Sequence, residues 1–252
     1  MRSGNPALKE STFLDLGSGS VVSRAGETMT LNGTVNKTAI LLLLTVMTAA
    51  FAWTQALTPT GELAPGFNVY VWGGAIGGFI VALVTIFKKE WAPVTAPLYA
   101  LVEGFFLGAI SAMYNNFFDG IVMQAVMLTF GTLFALLFAY RSGLIKATEN
   151  FKLGVVAATG GIALVYLATI VLGFFGINMP MIHDNGLIGI GFSLFVIVIA
   201  ALNLVLDFDF IETGVEQGAP KYMEWYGAFG LIVTLVWLYL EFLRLLAKLQ
   251  SR

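Results

Sequence analysis

After residue 36 the chain alternates between long apolar runs and short polar breaks. Measured against the roughly 20 residues that cover a hydrocarbon core, the runs predict spans over 38–57, 69–87, 95–114, 120–140, 153–176 and 186–211, with a seventh apolar helix over 223–247. The breaks hold turn formers, as in Thr58-Pro59-Thr60-Gly61 and Asn178-Met179-Pro180. The runs are too long and too uniformly apolar for barrel strands, whose residues alternate between lipid and lumen. The expected fold is therefore all-α and polytopic, a seven-helix transmembrane domain over 37–252.

Residues 1–36 are different material, rich in Ser, Gly, Thr and charge and without sustained apolar periodicity. They read as a flexible N-terminal tail. They lack the order of a secretory signal, a basic start followed by an apolar core and a small-residue cleavage site. The first apolar run is thus expected to be a retained span.

Composition agrees with the pattern. Of 252 residues, 58% are hydrophobic and 11% charged, against roughly 25% charged in a soluble domain. A net charge of −2 gives no reason to expect nucleic acid. Cysteine is absent and His183 is the single histidine, so thiolate chemistry, a His-based zinc site and a conventional triad have little to work with. No cofactor and no catalytic residue is expected, and the chain does not read as an enzyme.

Basic residues set the expected orientation. Arg2, Lys9, Arg24 and Lys37 precede span one, Lys88 and Lys89 follow span two, and Arg141, Lys146 and Lys152 follow span four. The linkers after spans one, three and five carry none. Because basic loops stay on the cytoplasmic side, the N-terminus is expected there. Arg244, Lys248 and Arg252 follow the seventh helix, which either crosses fully or inserts in part and returns. Trp53, Trp72, Trp91 and Trp225 fall near span ends, as interfacial anchors do. On span two, Gly73, Gly74, Gly77 and Gly78 form overlapping small-xxx-small pairs that permit close helix packing.

Against this apolar background three carboxylates stand out: Glu103, Asp207 and Glu241. A carboxylate in hydrocarbon is costly unless neutralised, paired or hydrated, so each is a candidate functional group. Glu103 lies about eight residues into span three, with no basic residue in that span; a structural hydrogen-bonded carboxyl and a place on a proton or ion path both fit. Asp207, Asp209, Glu212 and Glu216 also fit the solvated end of helix six. Glu241 and Arg244, three apart, also fit an ordinary intrahelical ion pair.

Three stretches carry a family resemblance: Met1-Arg2-Ser3-Gly4-Asn5-Pro6, the run Asn203-Leu-Val-Leu-Asp207-Phe-Asp209-Phe-Ile-Glu212, and Trp237-Leu-Tyr-Leu-Glu241-Phe-Leu-Arg244. Together they resemble the bacterial, YccA-like branch of the Bax inhibitor family, with its transmembrane Bax inhibitor motif. The resemblance implies seven helices, six around a central seventh, a bacterial inner membrane, and a pH-sensitive calcium leak. It further implies that an acid near the end of helix six, matched by Asp207, faces an acid on helix seven, where Glu241 stands. Such a pair shares a proton and works as a latch. Calcium prefers carboxylate oxygens, so calcium and protons would compete for Asp207 and Glu241, with Asp209, Glu103, Arg244 and Glu212 in support.

Geometry restrains that expectation. If helix seven starts near Tyr222, Glu241 lies about 28 Å along it, while Asp207 sits near the helix-six end. The two meet only if helix six projects beyond the bilayer or helix seven begins outside it, and Asp209 and Glu212 are alternates for the first position. Two other function classes remain open: a regulatory membrane protein that binds another machine such as a membrane protease, and an intramembrane enzyme, for which the sequence offers only acids.

Overall fold

The computed structural model describes residues 28–176 and 186–251. These form seven long helices: α1 Leu31–Ala56, α2 Phe67–Phe87, α3 Ala92–Phe117, α4 Ile121–Arg141, α5 Glu149–Phe174, α6 Leu187–Glu216 and α7 Met223–Gln250. A single 3₁₀ turn, Lys89–Trp91, leads into α3. No strand occurs among the described residues, only the isolated bridges Thr28↔Pro220 and Leu57↔Leu63. All seven helices are long and apolar enough to cross a membrane.

Helices overrun the hydropathy-based spans because a helix continues past the apolar run until a cap or a glycine stops it. α1 starts at Leu31, seven residues before the expected span, because Thr30 caps it by accepting from the Gly33 amide at 3.0 Å. Residues 28–36, expected in the tail, are thus partly helical, and residues 1–27 lie outside the described residues. α5 likewise begins under Thr148, which accepts from the Phe151 amide. α6 runs on to Glu216 and stops before Gly218, whose φ of +65° suits glycine. His183 lies outside the described residues.

The chain divides into two compact units. One holds α4 from Met123, α5, α6 as far as Asp209, and α7 from Thr234. Its core includes Ile162, Val196 and Ile199, with Tyr166, Phe192 and Trp237 packed on them. The other holds α1, α2, α3 and the hairpin tip Phe210–Val233. There α3 packs against both α1 and α2. Gly74 and Gly78 are the glycines of span two that make this possible, since a Cβ on either would collide with Phe106 or Glu103 of α3, whereas Gly73 faces open space.

Large apolar side chains remain exposed along α1 (Leu43, Met47), α2 (Val69, Phe79), α4 (Met123, Phe138) and α5 (Leu164, Ile170). In water such a surface would drive aggregation; in lipid it is the ordinary exterior. α7 differs. Its residues 226–232 are buried without a gap, and seven consecutive positions cover the whole circumference of a helix. That segment is buried all the way round.

Candidate functional site

Three groups of buried charge sit on α6 and α7, and Glu103 forms a fourth site on α3. The first group centres on Glu241, which is 1% exposed. The Tyr166 hydroxyl of α5 donates to Glu241 Oε1 at 2.8 Å. Arg244 Nη1, one turn along α7, donates to the same oxygen at 2.8 Å and to the Tyr166 oxygen at 2.6 Å. The guanidinium lies 5.2 Å from the Tyr166 ring centre. These bonds close a ring of carboxylate, phenol and guanidinium. Glu241 Oε2 is buried with no hydrogen-bond partner.

Asp207, fully buried, lies elsewhere on the hairpin. Lys248 of α7 donates to Gly189 O and Ser193 Oγ of α6, both at 2.9 Å, which sets the antiparallel register of this part of the pair. Seven residues back from Lys248, Glu241 then lies opposite the neighbourhood of Val198. Asp207 is about nine residues further along α6, roughly 14 Å at 1.5 Å per residue. Glu241 Oε1 is engaged by Tyr166 and Arg244, and Oε2 accepts no hydrogen bond. Asp207 follows by one turn Asn203, which donates to Thr159 Oγ1 of α5 and to Ile199 O, both at 2.8 Å.

Asp209 pairs with Lys152 of α5 at 2.8 Å, and Lys152 also approaches Glu149 at 3.4 Å. The lysine side chain is 6% exposed, so α5 and α6 are joined by a largely buried pair at this level. Glu212 is exposed. Glu103 is buried in α3, its carboxyl against Gly78 of α2; a glycine at that position leaves it room.

The third group lies at the start of α7. Glu224 is fully buried and accepts from the Thr30 amide at 2.9 Å, the Thr30 hydroxyl at 2.7 Å and Lys221 Nζ at 2.7 Å. It also pairs with Lys37 of α1, whose ammonium lies 5.5 Å from the Trp225 ring centre. The Met29 amide donates to Ala219 O at 2.7 Å. The chain entering α1 is thereby fastened to the α6–α7 turn.

No group of three or more His, Asp or Glu side chains converges as a metal site among the described residues. A carboxylate as enclosed as Glu241 or Asp207, in a helix long enough to cross a bilayer, is costly to keep there, which makes both candidate functional groups. Comparison of the whole sequence with protein families decides the kinship: a family model described as Bax inhibitor 1 like matches residues 5–251. The chain belongs to the Bax inhibitor 1 like family. No curated protein and no solved structure matches it.

For this Bax inhibitor 1 like protein, reading the sequence singled out Asp207, Glu241 and the Glu241–Arg244 pair, and did not single out Tyr166, Lys152 or Glu224. Tyr166 and Lys152 were passed over because their roles depend on residues 75 and 57 positions away. Glu224 was passed over because Glu-Trp at the start of an apolar helix looks like an interfacial end. The Thr30-Leu31-Asn32-Gly33 capping signature, read with Lys37 one turn later, was the available hint that residues 28–36 are structured.

Proposed function

We propose that this protein is a membrane pathway for cations, with calcium as the leading candidate, in which protons compete with the cation for buried acids on α6 and α7. The observation that carries the reading is the burial of Asp207 and Glu241 inside apolar helices, 0% and 1% exposed. An acid held there against its desolvation cost is kept for what it binds. Calcium is the fitting metal because the donors are carboxylate oxygens.

From the register of α6 and α7, which offsets Asp207 and Glu241 along the pair, the two acids are taken as successive stations of one path. Offset by about 14 Å along the helix axis, they cover roughly half of a hydrocarbon core about 30 Å thick. Asp209 with Lys152 stands next to the first station on α6. The proposed setting is a bacterial inner membrane with the N-terminus in the cytoplasm, supported by the alternation of Lys and Arg between linkers. Asp207 then lies towards the cytoplasmic side and Glu241 towards the far side.

The test is calcium entry into liposomes carrying the purified protein, compared between about pH 6 and 8. Wild type should pass calcium in a pH-dependent way, and Asp207→Asn and Glu241→Gln should each flatten the pH response. Flux no greater than in empty liposomes defeats the reading and favours a regulatory protein that acts by binding another membrane complex, such as a membrane protease.

A further inference from the structure

Glu241 and Arg244 form one ion pair but are unequally enclosed: the carboxylate side chain is 2% exposed and the guanidinium side chain 32%. Arg244 sits six residues before the α7 end, with a long stem that allows its charged head to reach headgroups or water. On departure the guanidinium would exchange its bonds to Glu241 and Tyr166 for headgroups or water. It would leave Glu241 as an enclosed carboxylate without its counter-charge, the unfavourable half of breaking a buried pair. Glu241 Oε2 already has no hydrogen-bond partner, and with Arg244 gone Oε1 would keep only the bond from the Tyr166 hydroxyl. A carboxylate in that state recruits another cation.

We propose that Arg244 is a tethered counter-ion that occupies the Glu241 carboxylate in competition with a divalent metal cation, so that metal enters this site only when Arg244 swings out. The inference rests on the cation-path reading and deepens it by naming the residue that keeps one station closed. The metal would meet both carboxylate oxygens of Glu241, hard donors suited to calcium. Tyr166 is the positioning residue for the closed arrangement. Its hydroxyl bonds both partners of the pair and its ring lies beside the guanidinium. Phe192 packs edge-on against that ring, centres 6.1 Å apart, and holds it in place.

Terbium(III), a luminescent stand-in for calcium, reads the site directly when excited through Trp237, which packs on the same core cluster as Tyr166. The full chain is purified in detergent and titrated with terbium at one neutral pH. Arg244→Gln should bind terbium about tenfold tighter than wild type, a modest return for removing one competing charge. Tyr166→Phe should shift binding in the same direction by less. Arg244→Gln combined with Glu241→Gln removes both charges and should lose the gain, as should Trp237→Phe in the Arg244→Gln background for the sensitised emission.

Equal terbium affinity in folded Arg244→Gln and wild type overturns the proposal. If Arg244→Gln does not yield a monodisperse protein, Tyr166→Phe decides instead, and unchanged affinity there overturns it. Liposomes separate this inference from the reading beneath it. Tighter terbium binding in Arg244→Gln, with no calcium flux through any variant, upholds the counter-ion and removes the leak.

Discussion

Lys37, near the start of α1, and Glu224, in the first turn of α7, form a salt bridge across 187 residues of sequence. The carboxylate is fully buried, and Thr30 and Lys221 complete its bonding. This bond network fastens the first helix to the α6–α7 turn, so stability should depend on it. Glu224→Ala strands two ammonium groups and two Thr30 donors and should cost about 3 kcal/mol, the scale of breaking a buried pair from one side. Thermal unfolding in detergent measures it, and a melting temperature equal to wild type would refute the role.

Gly33→Ala should destabilise the same junction. Alanine is the better helix former by about 1 kcal/mol, but a Cβ at Gly33 would collide with the Glu224 carboxylate. Overpacking of this kind costs about 1–3 kcal/mol, and it also displaces a charged group from its partners, so the loss outweighs the gain. A rise in melting temperature for Gly33→Ala would show that the carboxylate can shift at no cost.

Lys152 and Asp209 should show strong pairwise coupling. Lys152→Met leaves Asp209 facing a mostly enclosed site without its 2.8 Å partner, whereas Lys152→Met with Asp209→Asn removes both charges. The double variant should recover about 1–2 kcal/mol of the loss expected from adding the single ones, the range seen for contacting residues. A double-mutant cycle of unfolding free energies checks this, and strict additivity would reduce the pair to surface charge.

At the α2–α3 contact, Gly78→Val should push the helices apart, since a Cβ there meets the Glu103 carboxyl. The expected loss is about 1–3 kcal/mol. Adding Glu103→Ala to Gly78→Val should restore part of it by emptying the space. Melting curves of the two variants compare the outcomes, and no recovery in the double variant would locate the strain elsewhere.

The absence of cysteine makes topology directly testable. With seven crossings and a cytoplasmic N-terminus, a membrane-impermeant thiol reagent should label Ser251→Cys in intact cells and Lys146→Cys only after permeabilisation. Labelling of both positions on one side would mean that α7 does not cross.

Much was legible before any tertiary structure. A bilayer imposes a length and a polarity on every segment that crosses it, and both are local properties, so seven helices and their approximate limits follow from hydropathy. Carboxylates that violate the apolar rule, Glu103, Asp207 and Glu241, stand out for the same reason. The Glu241–Arg244 pair was also readable, because positions three apart on a helix are always neighbours.

Other features required the assembled fold. The roughly 14 Å offset between Asp207 and Glu241 depends on how α7 slides against α6, a register set by contacts such as Lys248 with Gly189 and Ser193 and not by the residues around either acid. Tyr166 with Glu241, Lys152 with Asp209, and Thr30 and Lys37 with Glu224 are each pairs of distant residues, joined only when one helix packs beside another. By itself the sequence determined which segments enter the membrane and which acids go with them, because solvation acts on each residue where it stands. Which charge meets which acid was decided by tertiary structure alone, because helix packing sets distances that no local pattern encodes.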